Sequence, residues 1–264
     1  MNPSIDDTPD YAAALRLDGR AFVVLGAGQG IGRQAAHAIA GCGGRTLCVD
    51  VDPQRADEVA NATGGVAASG DATRRDEMER LFTQAHDSFG RLDGLVDIIG
   101  GAQFGSLADV DDVAWDREFD HNLRHAFYAM QIGSKLMDQG GAMAFVASVS
   151  GITGAAKHAA YGAAKAGLMA LVRSAAVEFA PLGIRVNAVA PGSIGTPRAR
   201  AVLGPEGIAR SGANAPLGRV GRPSEIAAAL LFCLSDLSSY MTGQTLVIDG
   251  GVAAKFPYGA RSDY

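Results

Sequence analysis

Seven short apolar runs, nearly continuous near 95, 143 and 245, recur along this chain, and they limit its fold more than any other feature of the sequence. They occupy residues 21–25, 46–49, 66–68, 95–99, 143–147, 184–189 and 245–248. A strand with one wet face alternates apolar and polar residues, whereas a strand covered on both faces reads as a continuous apolar run. Between the runs lie candidate helices at 30–41, 53–62, 74–88, 112–138, 159–180 and 224–235. Asp112 is an N-cap candidate, and Pro53 and Pro223 sit near helix starts. Strand and helix in regular alternation predict an α/β fold: one doubly wound, Rossmann-type parallel sheet with helices on both faces.

No repeat, linker or shift of composition divides the 264 residues, so one large domain is expected at 18–251. A polar arm precedes it at 1–17 and a tail follows at 252–264, where Phe256-Pro257-Tyr258 reads as an interface element or a loose end. Residues 191–223, rich in Gly, Pro, Ala and Arg, read as a long irregular segment following a strand's C-terminal end. A loop of that length is expected to be a substrate lid, the other reading being a plain excursion.

The net charge of −5 comes with no basic block, which leaves no footprint for nucleic acid. No apolar run reaches the roughly 18 residues of a bilayer span. The acidic N-terminus lacks a signal core, so a cytoplasmic protein is expected. Cys42, Cys48 and Cys233 stand apart and read as small buried hydrophobes. The five histidines form no metal-ligand spacing, and no metal is expected.

The segment Gly26-Ala27-Gly28-Gln29-Gly30-Ile31-Gly32 lies directly between a predicted strand and a predicted helix. A turn without side chains there lets backbone N–H groups and the helix N-terminus meet a pyrophosphate. The next strand ends in Asp50, whose carboxylate suits the two ribose hydroxyls of adenosine and repels a 2′-phosphate. The cofactor expected is therefore NAD. Asp52 reads as an exposed turn acid.

Ser148, Tyr161 and Lys165 follow as Ser-x12-Tyr-x3-Lys. Four residues apart on a helix, Tyr161 and Lys165 share a face, and an ammonium beside a phenol favours the phenolate. Such a tyrosine can take an alcohol proton as hydride leaves carbon, with Ser148 holding the substrate oxygen. Ser150 competes with Ser148, but its spacing to Tyr161 is less favourable.

The glycine turn, Asp50, Ser148, Tyr161-Gly-Ala-Ala-Lys165, Pro191-Gly192 and a closing Asp249-Gly250-Gly251 resemble the short-chain dehydrogenase/reductase family in order and spacing, from about residue 17 to 251. The resemblance implies catalytic roles for Asn122, Ser148, Tyr161 and Lys165. It implies cofactor contacts from Gly26, Gly28, Gly30, Ile31, Gly32, Asp50, Asp71, Ala72, Gly100, Tyr161, Lys165, Pro191, Gly192, Ile194 and Thr196. It also implies an enzyme that interconverts a secondary alcohol and a ketone with NAD(H), and a homotetramer built on the long helices. The alternatives are an NADPH-dependent ketone reductase and a catalytically silent, NAD-sensing protein of the same fold.

Two positions depart from the family pattern. Leu25 stands where Thr is usual, and Asp97-Ile98-Ile99-Gly100 replaces Asn-Asn-Ala-Gly. The expectation is that apolar packing of Leu25 on Ile98 replaces a polar contact between the strand ends. His121 and His125 are expected at an interface, and His158 at a helix start or the edge of the substrate site. Arg198, Arg200 and Arg210 are expected to be solvated, with an anionic substrate as the other reading.

Overall fold

The structure is a computed structural model, and it describes residues 8–255. The expectation for Phe256, Pro257 and Tyr258 lies outside the described residues. Seven parallel strands form one sheet in the order β3-β2-β1-β4-β5-β6-β7. They are β1 (Ala21–Leu25), β2 (Arg45–Asp50), β3 (Val66–Ser69), β4 (Gly94–Asp97), β5 (Gly141–Val146), β6 (Ile184–Pro191) and β7 (Thr245–Ile248). Every residue of β1 and of β4 is buried, as a strand with helices on both sides requires.

One face carries α1 (Gly30–Gly41), α2 (Pro53–Thr63) and α8 (Pro223–Leu234), packed through Ile31, Ile39, Val59, Ile226 and Leu230 on Phe22, Val24 and Val96. The other carries α3 (Arg75–Phe89), α5 (His125–Gly133) and α6 (Ala159–Phe179), which set Leu81, Phe82, Met130, Leu168 and Val172 against Val23, Leu95 and Phe145. Each such side chain, fully buried, contributes on the order of 1.5–3 kcal/mol. Leu17, the last residue of the N-terminal arm, is fully buried beneath the first of these faces.

Helix starts follow local chemistry. Asp52 is the N-cap of α2, accepting from Gln54 N and Arg55 N, and Pro53 occupies the first turn; it is a cap rather than an idle turn acid. α4 (Asp112–Phe119) is capped by Asp111, whose Oδ1 accepts from Ala114 N at 2.7 Å, and not by Asp112. Of its two adjacent aspartates, only the one outside the helix has the extended backbone that a cap needs.

Two larger corrections concern the helices. The single helix expected at 112–138 is instead α4, a π-helical turn at Asp120–Arg124, and α5, which ends at Gly133. The segment expected to be irregular at 191–223 contains α7 (Pro197–Asn214), capped by Thr196 and kinked where Gly204, at φ 64°, precedes Pro205. Its glycine and proline content masked a helix that turns a corner, although Thr-Pro at its start is an ordinary initiation signal.

Leu25 and Ile98 do not pack together. Alternation along the strands sends Leu25 into the α3/α5/α6 face and Ile98 toward the α1/α8 face. The residue paired with Leu25 across the ladder is Asp97. Neighbouring strands run out in opposite directions along the sheet from β1 and β4, and a crevice opens beyond their C-terminal ends.

Candidate active site

The first wall of that crevice is the glycine turn. Gly26 N and Ala27 N donate to Val49 O, fastening the turn to β2, and Gly28 N donates to Asp50 Oδ2 at 3.0 Å. A β-carbon on Gly32 would stand 1.9 Å from Gly26 O, and one on Gly28 2.5 Å from Asp50 Oδ2, so neither position admits a side chain. Beyond the turn runs a groove lined by Gly26, Gly30, Ile31, Asp50, Asp71, Ala72 and Gly100. Bare backbone at a helix N-terminus, with a carboxylate at the end of the next strand, fits the diphosphate and adenosine ribose of a dinucleotide. Gly28 and Gly32 do not line the groove; they shape the turn from behind. Arg55, which the sequence reading passed over, also stands on the groove, with its Nε 3.2 Å from Asp52.

A second cavity of about 300 Å³ adjoins the groove at Ile31, Gly100, Thr196 and Arg198. Ser148, Tyr161 and Lys165 converge on it, with Pro191, Gly192 and Ile194 on the wall made by the end of β6. Ser148 follows β5 and caps a short 3-10 turn, its Oγ accepting from Ser150 N at 3.1 Å. Ser150 turns to His158 Nδ1 at 3.2 Å and does not line the cavity, which separates the two serines. His158 meets the Tyr161 ring edge-on at 6.0 Å, so its helix-start position also borders the site.

Lys165 is fully buried, and its Nζ donates to Val146 O at 2.8 Å. Burial pulls its ammonium down to about 8, against the charges of Asp97 and Glu118, which push it up. Tyr161 departs from expectation. Burial pushes its phenol above the usual range, with Ser148 and Arg198 pulling it back. Lys165 Nζ stays 6.0 Å from the Tyr161 ring centroid, engaged by a carbonyl, and does not supply the lowering anticipated from their i,i+4 spacing.

Asn122 lies beneath the cavity floor, in the π turn and wholly buried. Its Oδ1 accepts from Gly101 N at 2.9 Å, and its Nδ2 donates to Glu118 O at 3.0 Å and to Glu118 Oε2 at 2.9 Å. The amide thereby fills the place at Glu118 O that an α-helical N–H four residues on would occupy, which is how the wider turn is accommodated. Gly100, at φ 141°, lies over this layer. A β-carbon there would meet Asn122 Oδ1 at 2.6 Å and Lys165 Nζ at 2.8 Å.

Two features of this layer escaped the sequence reading. Glu118 is buried, with Oε1 accepting from Gln103 N at 2.8 Å, and burial raises its carboxyl above the usual range. Asp97 and His125 form a pair at 2.8 Å, both about 1% exposed, so His125 is a core residue and not an interface one. This pair, rather than Leu25 on Ile98, supplies the contact at the end of β4. His125 Nε2 has no partner among the described residues, which suits the tautomer donating from Nδ1 to Asp97. His121 lines the groove, and burial lowers its imidazole. The only available signal was the pairing of an unusual Asp at the end of β4 with a His on a helix predicted to cover it.

Arg198 is exposed, as expected, and it also faces the groove and the cavity together, whereas Arg200 is tied to Gly195 O and Arg210 to Glu206. Cys48 and Cys233 are buried, and Cys42 is partly so. Among the described residues no helix is long and apolar enough to cross a membrane.

A family model described as enoyl-(acyl carrier protein) reductase matches residues 26–253. The 2-(S)-hydroxypropyl-CoM dehydrogenase 3 of Xanthobacter autotrophicus is 36% identical over 90% of this chain and 98% of its own length. The cis-4-hydroxycyclohexanecarboxylate dehydrogenase of Sinomonas cyclohexanicum is 38% identical over 89% of this chain and 97% of its own. Among solved structures, a 7 alpha-hydroxysteroid dehydrogenase complexed with NADH and 7-oxo glycochenodeoxycholic acid superimposes with a TM-score of 0.86, at 30% identity, over 92% of this chain and 98% of that one.

Proposed function

This chain belongs to the short-chain dehydrogenase/reductase family, and we propose that it interconverts a secondary alcohol and a ketone with NAD(H), using Tyr161 as acid and base. One observation carries the reading: Ser148, Tyr161 and Lys165 meet in one cavity that opens through Gly100 onto the glycine-turn groove. Dehydrogenases of hydroxyl-bearing substrates among the relatives support it.

Gly100, Pro191 and Gly192 would hold a nicotinamide, which would supply the two-electron hydride chemistry at the carbinol carbon. The chain's own part is to hold the oxygen and move its proton. Ser148 Oγ, whose lone pair already accepts from Ser150 N, has its hydrogen free for the substrate oxygen. Tyr161 Oη takes the hydroxyl proton as the C=O bond forms, and gives it back in reduction. A phenol raised by burial is pulled back by Ser148 and Arg198, while Asp97 and Glu118 favour the cationic form of Lys165 at the same site. Asn122, fixed at both ends of its amide, keeps the π turn beneath Lys165 and Gly100.

The Asp50 carboxylate on the groove supports NAD over NADP, since it suits ribose hydroxyls and would repel a 2′-phosphate. Arg55 on the same groove is the feature that favours the NADPH reading, yet Asp52 already holds it. Phe127 on α5 and Val177 on α6 are exposed, which suits assembly into a homotetramer through those helices in the cytoplasm. The test is nicotinamide absorbance with a panel of secondary alcohols, NAD⁺ and NADP⁺ in parallel. Turnover with NAD⁺ is the expected result; cofactor binding without turnover on a broad panel would favour the NAD-sensing reading.

A further inference from the structure

Resting on that reading of the cavity, we infer that the substrate is an apolar-bodied alcohol or ketone carrying one anionic group, and that Arg198 binds this anion. Five polar side chains line the cavity: Ser148, Tyr161, Lys165, Thr196 and Arg198. Ser148, Tyr161 and Lys165 belong to the reacting oxygen. Thr196 Oγ1 accepts from Ala199 N at 3.1 Å as the cap of α7, which leaves its hydroxyl hydrogen as a neutral donor where the cavity meets the groove. Arg198 alone remains as a charged group for the rest of the substrate.

The other walls are apolar, formed by Ile98, Phe104, Val146, Ile194, Val202 and Leu203. These side chains offer no hydrogen bond to a second or third hydroxyl, and a hydroxyl desolvated against them without a partner is costly. A polyol is therefore a poor fit, and an aliphatic or alicyclic body a good one.

Arg198 is placed to receive a charge. Of the three arginines on α7, Arg200 donates to Gly195 O and Arg210 pairs with Glu206. Arg198 has no carboxylate within salt-bridge distance among the described residues, although it stands in a chain with five more acidic than basic side chains. Its guanidinium rests on bare backbone: a β-carbon on Gly101 would lie 2.6 Å from Nη1. Gly101 adjoins Gly100, the residue that covers Lys165 and Asn122, so the cation faces the cavity within one residue of the catalytic floor. A guanidinium binds a carboxylate or sulfonate through two parallel hydrogen bonds, which fixes the far end of the substrate and hence the carbinol carbon.

The same chemistry has a second source, because Arg198 also borders the nucleotide groove, where a diphosphate carries anionic oxygens. The substrate is the favoured source, since the glycine turn and the N-terminus of α1 suit the diphosphate without Arg198.

The experiment measures NADH-dependent reduction of 4-oxocyclohexanecarboxylate and of its ethyl ester, by wild type, Arg198→Lys and Arg198→Met, with NADH affinity followed by fluorescence titration. The wild type is expected to favour the acid in kcat/KM by about tenfold or more. Arg198→Met should bring the acid-to-ester ratio close to one and Arg198→Lys should keep part of it, while NADH affinity stays the same. A wild type indifferent to the charge overturns the inference. So does an Arg198→Met variant that binds NADH more weakly with its acid-to-ester ratio intact, which assigns the cation to the dinucleotide.

If no ketone turns over, the oxidoreductase reading fails on its own. Calorimetric titration of cyclohexanecarboxylate and its methyl ester into the NADH-bound protein then decides the role of Arg198. Preference for the acid in wild type, lost in Arg198→Met, supports the inference; equal binding of acid and ester overturns it.

Discussion

The nucleotide groove and the catalytic floor share Gly100 but handle charge in opposite ways. Along the groove, Asp50 and Asp71 stand at strand ends in contact with solvent, bonded to N–H groups of nearby turns: Gly28 N and Asp52 N for Asp50, Thr73 N for Asp71. Under the floor, Asp97, Glu118, His125 and Lys165 are all buried, and each is held by a partner at least four residues away. A solvated carboxylate costs little and can be lost cheaply. A buried ion is tolerated only while its partners stay in place, and removing one of them exposes the desolvation cost. The groove is therefore a recognition surface laid over backbone, while the floor is an interlocked set of side chains in which position and protonation depend on each other.

Breaking this contrast starts with the largest effect. Tyr161→Phe should lower kcat by about a thousandfold while NADH still binds, because it removes the proton acceptor and leaves the groove intact. Equal losses of turnover and of cofactor affinity would mean that the two regions are not separable.

His125→Ala comes next. Leaving Asp97 buried without its partner should destabilise the protein by about 3 kcal/mol, measured by urea denaturation. Adding Asp97→Asn should recover part of that loss, since a neutral amide costs less to bury. Stability unchanged in His125→Ala would show that water replaces the imidazole and that the floor is less interlocked than its geometry implies.

The glycine turn behind the groove is as intolerant as the floor. In Gly32→Ala the new methyl meets Gly26 O, a backbone atom fastened to the sheet, so the turn must shift at a cost of about 2 kcal/mol and NADH affinity should fall with it. Asp50→Ala, by contrast, should leave the melting temperature within about 2 °C and lower the preference for NAD over NADP about tenfold.

The smallest effect concerns Lys165. Its ammonium, near 10.5 when unfolded, falls to about 8 in the folded chain, so between those values the unfolded chain binds more protons. Stability should therefore rise with pH across that window. Measured as melting temperature against Lys165→Met, which lacks this titration, the difference should grow by about 3 °C from pH 7.5 to 9.5. A flat difference would mean that Lys165 exchanges its proton as freely as a surface lysine.

The same contrast decides how much could be read from the sequence. Strand and helix positions were legible because burial on two faces and on one leaves different periodicities, and all seven apolar runs match strands within two residues at either end. The glycine turn and Asp50 were legible for a related reason, since backbone shape is written locally, in residues that have no side chain. Ser148, Tyr161, Lys165 and Asn122 were found by spacing and resemblance, and the structure gathers the first three around one cavity with the fourth beneath it. The helix break at 120–124 was not legible, because a π turn leaves the apolar pattern almost unchanged and depends on one amide reaching Glu118. Nor was α7, whose kink at Gly204 reads as loop composition.

By itself the sequence determined the order of elements, the parallel sheet and the phosphate-shaped turn, because each follows from short-range sterics and from which residues avoid water. Only the tertiary structure decided which charges are buried together. Asp97 met His125, Glu118 met Gln103 N, and Arg198 was left facing a cavity lined by no carboxylate, through the approach of elements apart in the chain. Electrostatic energies depend on distance and on exclusion of water, and neither is defined until the helices have closed on the sheet.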